Sequence, residues 1–474
     1  MGSIKKNFFY NVFYQLLIIA IPLITTPYVS RTIGAEGVGI YSYAYSVANY
    51  FVLFTMLGIN NYGNRTVAIT RDDRTALSRT FSDLYVTQFV LGVLFACLYI
   101  VYCFKFASDF YASIILGLYV ISGIFDVNWF FNGLEEFKLT IIRNTLVKLI
   151  CTAAIFVLVK NRTDVYKYCI ILASSNLLSQ VVLLPFVNKR IDFVQPSYQK
   201  VKEHIRPNIM LFSTVLAVSL FKIMDKIMLG LLSDKVQVGF YESAEKVINI
   251  PIAFVAALGA VMLPRITNMI ANGEKDHDET MQASIIFAMT LSTALCFGIM
   301  AVADVFVPLF YGEGFEACIG LFEILLPSCV FLAFANVIRT QYLLPHKMDN
   351  IYIISAFMGA GVNIVTNLLL IPHIQARGAA IGTLISEFVV CIFQSYHVHK
   401  RMPIKKYAFQ SLPMIVAGVV MFVCVRRISL SYHVGVTLMI KVGIGIIIYI
   451  TTLLISCFPY RKTYLNILSN LKHV

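Results

Sequence analysis

The sequence predicts an all-α membrane protein with about fourteen transmembrane helices. Of its 474 residues, 58% are hydrophobic and 13% are charged, whereas soluble globular chains are about half apolar and about one quarter charged. The apolar residues recur in blocks of about twenty, long enough for a helix to cross a hydrocarbon core of roughly 30 Å. These blocks are too long and too uniformly apolar for barrel strands, which alternate over about ten residues.

The predicted spans follow one another along almost the whole chain. In order they cover residues 8–30, 39–63, 80–104, 109–131, 140–159, 165–187, 208–232, 239–263, 281–304, 318–342, 350–372, 378–399, 408–425 and 433–457. The first block contains Pro22 and Pro27 and lacks a small-residue cleavage site, so we expect a membrane helix there and not a removed signal peptide.

The distribution of positive charge predicts the orientation. An even number of spans places both termini on one side, and most of the 38 lysines and arginines lie in the ends and connections of that side. Arg143, near the start of span 5, is counted with them. Because positive residues mark the cytoplasmic side, both termini are expected to be cytoplasmic. The net charge of +13 is then mainly a topology signal.

Several function classes receive no support from the sequence. The longest connection, about 188–207, is too short for a nucleotide-binding or glycosyltransferase domain, and there is no G-x-x-x-x-G-K-[ST] motif. The ten cysteines are scattered without C-x-x-C pairs or histidines at metal spacing, so we interpret them as small buried hydrophobes. We therefore predict no catalytic residues and no metal site.

An internal repeat predicts how the spans are grouped. Residues 38–54, VGIYSYAYSVANYFVLF, and residues 238–254, VGFYESAEKVINIPIAF, align without a gap at a shift of 200. Each copy opens an even-numbered span, which is typical of a parallel repeat of two six-helix lobes. The predicted division is 1–190 and 191–402 for the lobes and 403–474 for two additional helices with a short cytoplasmic tail. Two such lobes favour a carrier that works by alternating access.

Six ionisable residues fall inside spans 7 and 8: Lys222, Asp225, Lys226, Glu242, Glu245 and Lys246. Within each span the three are spaced i, i+3, i+4 and share one helix face, and we expect the two faces to meet. A lone charge at the bilayer centre costs at least about 2.5–3.5 kcal/mol. Two interpretations stay open: a structural ion network that joins the spans, or the wall of a wet cavity for an anionic substrate and coupling cations.

Other charges lie within predicted spans: Lys148, Arg339, Lys441, Asp126, Glu323 and Glu387. Lys441 is expected to extend its amine to the membrane interface. Asp126 is interpreted as a capping or interfacial group, and Arg339 as an interfacial anchor.

Two segments resemble a known family. The segment PYVSRTIGAEGVGIYSYAYSVANYF, residues 27–51, resembles the N-terminal signature of bacterial polysaccharide repeat-unit flippases, the Wzx-type exporters of O-antigen and capsule units. The segment NIVTNLLLIPHIQARGAAIGTLISE, residues 363–387, is similar to that family's passage from span 11 to span 12. The family belongs to the multidrug/oligosaccharidyl-lipid/polysaccharide exporter superfamily. Gly34, Gly37 and Gly39 match its glycines, which allow a tight turn.

The resemblance implies a function. It implies two six-helix lobes with two extra helices and alternating access. The substrate would be an oligosaccharide carried on undecaprenyl pyrophosphate, moved from the cytoplasmic to the outer leaflet of the bacterial inner membrane. A gradient of H+ or Na+ would reset the carrier, and the polymerase and chain-length machinery are implied partners, with no nucleic acid involved.

Candidate site residues follow from the chemistry of that cargo. A pyrophosphate requires cations in a cavity of low dielectric, and sugars require amides, hydroxyls and aromatic faces. The candidates for substrate binding are Lys222, Lys226, Lys246, Arg31, Lys148, Tyr45 and Asn49. Arg31 also matches the family's arginine after span 1, whereas the tyrosines could equally form an interfacial belt. The candidates for ion coupling are Asp225, Glu242 and Glu245.

Three alternatives remain open. A flippase of peptidoglycan lipid precursors is close in chemistry, although the first segment favours the polysaccharide branch. A multidrug cation exporter should have a mainly acidic cavity, whereas the charged group in spans 7 and 8 has as many lysines as carboxylates. A membrane-bound polysaccharide polymerase or ligase would usually carry a large outer loop, and the outer connections of this chain are short.

Overall fold

The computed structural model describes residues 2–192, 194–272 and 277–458, with residues 2–16, 18, 19, 214, 221, 222, 277 and 278 described as backbone only. Within these ranges the chain forms sixteen α-helices and no β-strand. They are α1 Gly2–Met56, α2 Ile59–Thr70, α3 Arg74–Lys105, α4 Phe110–Ile124, α5 Asn128–Gly133, α6 Phe137–Leu158, α7 Val165–Val181, α8 Leu184–Val187, α9 Tyr198–Leu232, α10 Lys235–Ala271, α11 His277–Tyr311, α12 Ala317–Leu325, α13 Ser328–Ile338, α14 Asp349–Val398, α15 Ile404–Arg426 and α16 Val434–Cys457. A π-helical turn, Arg339–Leu343, continues α13.

The helices confirm the predicted class of all-α membrane protein. Ten helical segments of the described chain are long and apolar enough to cross a bilayer. Large apolar side chains also remain exposed along them, as on α16, where Met439 is 76% and Ile447 66% exposed. Side chains of this kind are suited to contact with lipid. Each predicted span is mainly helical, although four of them contain a break of two or three residues between consecutive helices. The count of fourteen stays a prediction.

Two long helices contain sharp bends where the sequence predicts separate spans. Gly34 interrupts α1 with φ 69° and ψ 179°, a conformation open almost only to glycine. A Cβ added there would meet no atom within 4 Å, so the requirement for glycine is conformational and not steric. In α14 the interruption lies at Ile374 and Gln375, soon after Pro372. The expected tight turn is therefore confirmed at Gly34, whereas Gly37 and Gly39 continue the helix.

The chain packs as two compact units, Met1–Gly230 and Leu231–Val474. In the first unit, α4 packs against α1, α3 and α7, around buried residues such as Tyr99 and Leu116. The long α9 belongs to this unit. The rings of Phe54 and Phe212 lie 5.3 Å apart, and Tyr50 donates to the carbonyl of Ser219 at 3.3 Å.

In the second unit, α11 contacts α10, α12, α13, α15 and α16. The hydroxyls of Thr293 and Tyr449 lie 2.8 Å apart and join α11 to α16. The Gln282 amide donates to Gln410 at 2.7 Å and joins α11 to α15. The last two helices are therefore packed closely on α11. The division predicted from the sequence repeat, with lobes 1–190 and 191–402 and two additional helices in 403–474, stays a prediction.

Candidate functional site

The charged residues Lys222, Asp225 and Lys226 of α9, the α9 group, include the most deeply buried of the predicted ion-coupling acids. Asp225 is 2% exposed, and Lys226 beside it is half-buried. Both side chains have polar or electrostatic interactions, and Asp225 interacts electrostatically with Tyr50 of α1. A buried carboxylate requires such partners, because removing it from water is costly. The side chain of Lys222 lies outside the described residues, so its predicted role stays a prediction.

The charged residues Glu242, Glu245 and Lys246 of α10, the α10 group, contain an ion pair. The Lys246 amine lies 3.6 Å from the Glu242 carboxylate, one turn apart, and both side chains are partly buried. Glu242 also interacts electrostatically with Tyr311 of α11, whose hydroxyl donates to the carbonyl of Ser243 at 2.6 Å. Glu245 is half-buried on the same helix and has interactions of its own. That the α9 and α10 groups face each other stays a prediction.

The predicted sugar-binding residues Tyr45 and Asn49 are brought together by a third side chain. The Tyr119 hydroxyl of α4 donates to the Asn49 side-chain oxygen at 3.0 Å and accepts from the Tyr45 hydroxyl at 3.4 Å. The Tyr45 and Tyr119 rings lie 4.9 Å apart, and Tyr41 stacks on Tyr45 at 5.6 Å. We call Tyr41, Tyr45, Asn49 and Tyr119 the tyrosine cluster. Nothing near Tyr119 in the sequence distinguishes it, because its role depends on a contact seventy residues away.

The two remaining predicted cations occupy separate helices of the first unit. Arg31 is exposed on α1, three residues before the Gly34 bend. Lys148 is half-buried near the middle of α6. Each has interactions with neighbouring groups, and their predicted contact with a pyrophosphate stays a prediction.

A cluster of four charges in the second unit was missed as a group. The Lys441 amine of α16 lies 2.8 Å from Asp304 of α11. Arg426 of α15 lies 3.1 Å from Glu323 of α12 and 3.7 Å from Asp304. We call these residues the ionic quartet. The Lys441 side chain is buried and paired with Asp304, and its expected extension to the membrane interface stays a prediction. The predicted topology held a usable signal, since all four residues lie near span ends on one side of the membrane.

A second polar network surrounds Arg143, which is buried and not a surface topology signal. Its guanidinium donates to Asn128 at 2.6 Å and to the Ser179 hydroxyl at 2.8 Å, and it also contacts the Ser179 carbonyl. Asn128 in turn donates to Asp126 from its backbone at 2.9 Å and from its side chain at 2.7 Å. Asp126 therefore accepts from the first residue of α5, whose N-cap is Val127, and Asn128 links it to the buried arginine.

The second family-like segment, residues 363–387, forms the bend of α14 and the helix that follows it. A Cβ on Gly378 would lie 2.6 Å from the Leu370 backbone, and one on Gly382 would lie 2.3 Å from the Asn367 side chain. The glycines therefore permit close packing across the bend. Asn363 and Asn367 are fully buried there, and the Asn367 amide donates to Asn363 at 3.1 Å.

Comparison with known proteins agrees with this architecture. Residues 4–270 match the model of a family described as polysaccharide biosynthesis protein. A candidate O-antigen transporter of Escherichia coli (strain K12) is 22% identical over 397 residues, which cover 82% of this chain and 95% of that protein.

Two solved structures share the fold. The lipid II flippase MurJ, in an inward closed conformation, superposes with a TM-score of 0.71 at 14% identity, covering 96% of this chain and 100% of that one. An inward-facing multidrug resistance MATE family transporter of the MOP superfamily gives a TM-score of 0.59 at 15% identity, covering 82% and 99%. The chain is thus a multi-pass membrane protein that belongs to the polysaccharide biosynthesis protein family and has the fold of the MurJ and MATE transporters.

Proposed function

We propose that this protein is a flippase for lipid-linked oligosaccharides. It would move undecaprenyl-pyrophosphate-linked repeat units from the cytoplasmic to the outer leaflet for the assembly of O-antigen, capsule or exopolysaccharide. The observation that carries the proposal is the family match over residues 4–270. The similarity to a flippase fold over 96% of the chain supports the same reading.

The charges of the candidate site suit such a cargo. The pyrophosphate would meet lysine and arginine side chains, which bind phosphate oxygens strongly where water is scarce. Lys226 and Lys246 are the best placed of these, because both are partly buried beside carboxylates. Lys222, Lys148 and Arg31 complete the proposed set.

The tyrosine cluster suits the sugar portion. Aromatic rings offer flat apolar faces to sugar rings, and the amide of Asn49 offers a donor and an acceptor. Because Tyr119 holds both Tyr45 and Asn49, these groups are already ordered before a ligand arrives, which lowers the entropic cost of binding. The lipid tail would remain in the bilayer.

Energy for the cycle would come from an ion gradient. Asp225, Glu242 and Glu245 are the proposed sites for H+ or Na+. In an alternating-access carrier, the ion binds one state more tightly than the other and thereby biases the equilibrium between them. We place the protein in the bacterial inner membrane with both termini in the cytoplasm, working with the polymerase and chain-length machinery.

One alternative is favoured by a specific observation. The fold similarity to the lipid II flippase would also suit a carrier of peptidoglycan precursors, whose cargo has the same undecaprenyl pyrophosphate group. A multidrug exporter is less favoured, because the candidate site carries lysines beside its carboxylates.

The decisive experiment is deletion of the gene followed by lipid analysis of each membrane leaflet. The flippase proposal expects undecaprenyl-linked repeat units to accumulate on the cytoplasmic face, with loss of surface polysaccharide. Accumulation on the outer face would indicate a polymerase or ligase. Accumulation of peptidoglycan precursors would indicate the lipid II alternative.

A further inference from the structure

The connection between α8 and α9 is fixed along α3 in the first unit. Arg74 donates to Asp192 through two nitrogens at 2.9 and 2.7 Å. The Asp192 backbone N–H donates to the Ser78 hydroxyl at 3.0 Å, and the Ser197 backbone N–H donates to the Asp83 carboxylate at 2.9 Å. These four hydrogen bonds hold residues 188–192 and 194–197 against the first half of α3.

A cavity of about 740 Å³ remains between α3, the end of α7, α8 and this connection. Its walls are mainly apolar and include Phe81, Tyr85, Phe89, Val181, Leu184 and Ile191. The volume lies within the range of small-molecule pockets, about 300–1,000 Å³. We call this cavity the α3–α8 groove.

The groove runs from the charged end of α3 into the predicted span 80–104. Phe81 and Phe89 lie eight residues apart on α3, or about 12 Å at 1.5 Å per residue. Phe89 is 45% exposed, so the deeper end of the groove opens onto the lipid-facing surface. An apolar cavity of this kind does not hold water stably, and a hydrocarbon chain suits it.

The shallow end carries positive charge. Arg79 lies one turn before the lining residue Ser82, and Lys189 and Arg190 follow the lining residue Asn188. Arg190 is paired with Glu136 at 2.7 Å, and Asp192 is occupied by Arg74. Arg79 and Lys189 are exposed and make no ion pair with a carboxylate in the described part of the chain.

We propose that the α3–α8 groove binds one anionic phospholipid of the surrounding bilayer. One acyl chain fills the cavity, and the phosphate lies against Lys189 and Arg79. The four hydrogen bonds that hold one wall of the groove in place suit a resident lipid better than a cargo lipid that must leave in every cycle. A lipid that binds only the folded protein would stabilise it, by joining α3 and α8 to the segment that leads into α9. This proposal does not depend on the identity of the cargo.

The test uses the purified full-length protein in detergent. We expect phosphatidylglycerol to raise the thermal unfolding midpoint by a few degrees and phosphatidylcholine to leave it unchanged. Native mass spectrometry should count one retained phosphatidylglycerol. The variant Val86→Trp fills the groove and should lose both effects. The matched control Val90→Trp, on the exposed side of the same helix, should keep both.

Three results would overturn the proposal: an equal response to phosphatidylcholine, a phosphatidylglycerol response retained in Val86→Trp, or displacement of phosphatidylglycerol by undecaprenyl phosphate. The last result would assign the groove to the isoprenoid chain of the cargo. If Val86→Trp fails to fold, the double variant Arg79→Gln/Lys189→Gln decides. Loss of the preference for phosphatidylglycerol supports the proposal, and an unchanged preference rejects it.

Discussion

Asp225 and the tyrosine cluster carry the chemistry of the proposed site at the scale of single residues. Asp225 is almost wholly buried on α9, between Lys222 and Lys226 of the same helix. The tyrosine cluster is held by one phenol that contacts two other side chains. Asp225 and Tyr119 therefore each allow a substitution that changes one chemical property and keeps the shape of the side chain.

Asp225→Asn should abolish transport and leave the protein inserted. The change keeps the size of the side chain and removes its ability to bind a proton or metal cation as a carboxylate. Surface polysaccharide is measured by immunoblot, beside the amount of protein in the membrane fraction. Normal polysaccharide in this variant would reject the ion-coupling role, and loss of the protein itself would favour the structural ion network.

Tyr119→Phe should weaken substrate binding about twofold to twelvefold, which corresponds to one net hydrogen bond of about 0.5–1.5 kcal/mol. The ring remains and only the hydroxyl that holds Tyr45 and Asn49 is lost. The measurement is the concentration dependence of flipping in proteoliposomes. Tyr99→Phe is the control, because the buried Tyr99 hydroxyl donates to the Ser113 carbonyl at 2.8 Å. Equal loss of affinity in both variants would contradict a specific role of Tyr119.

At the scale of helices, the bends show where prediction from the sequence succeeds, and the ionic quartet shows where it fails. Hydropathy is a local property, so every predicted span is mainly helical. The turn at Gly34 follows from glycine's freedom at positive φ. The bend at Gln375 falls between the predicted spans 350–372 and 378–399, soon after Pro372. The π-helical turn at Arg339 carries no such local signal. The pairing of Lys441 has no local signal either, because its partner Asp304 lies 137 residues earlier in the chain.

Gly34→Ala should destabilise the protein by about 1–3 kcal/mol, the usual cost of a strained backbone conformation. The added methyl group meets no atom within 4 Å, so the penalty would come from the φ of 69° alone. Gly443→Ala is the control, because its site is equally open and lies in the regular helix α16. It should be neutral or slightly stabilising. Thermal unfolding of both variants compares the two effects, and equal midpoints would contradict the argument.

Lys441→Met should lower the thermal stability of the protein, because Asp304 loses a partner at 2.8 Å. Breaking a buried pair costs roughly 3–5 kcal/mol, and the value here should be smaller because Asp304 is partly exposed and retains Arg426. The double variant Lys441→Met/Asp304→Asn should recover part of the loss, since it removes the uncompensated charge. An additive loss in the double variant would show that the two residues are not coupled.

At the scale of the whole molecule, the last two helices are part of the second unit. Hydrogen bonds join Gln410 and Tyr449 to α11. The Phe297 ring packs so closely on α15 that a Cβ added to Gly418 would lie 2.4 Å from it. The predicted division that sets spans 13 and 14 apart from the lobes stays a prediction, because it rests on their lack of a counterpart in either lobe. Repeat matching detects similarity between segments and carries no information on their packing.

A chain that stops after Met402 should therefore fail to accumulate in the membrane. Its α11 would lose the contacts of α15 and α16, and Asp304 would lose both of its cationic partners. Quantitative immunoblotting of the membrane fraction tests this, with the full-length chain as reference. Normal amounts of a truncated and active protein would show that the two helices are dispensable.

The pairing of Lys441 with Asp304 also bears on biogenesis. The ribosome delivers α16 after α11, α12 and α15, so three members of the ionic quartet are already made when Lys441 leaves the exit tunnel. A charged lysine at the centre of the hydrocarbon costs at least about 2.5–3.5 kcal/mol. The carboxylate of Asp304 lowers that cost. Helix α16 would then leave the translocon directly into contact with α11 and not into lipid alone.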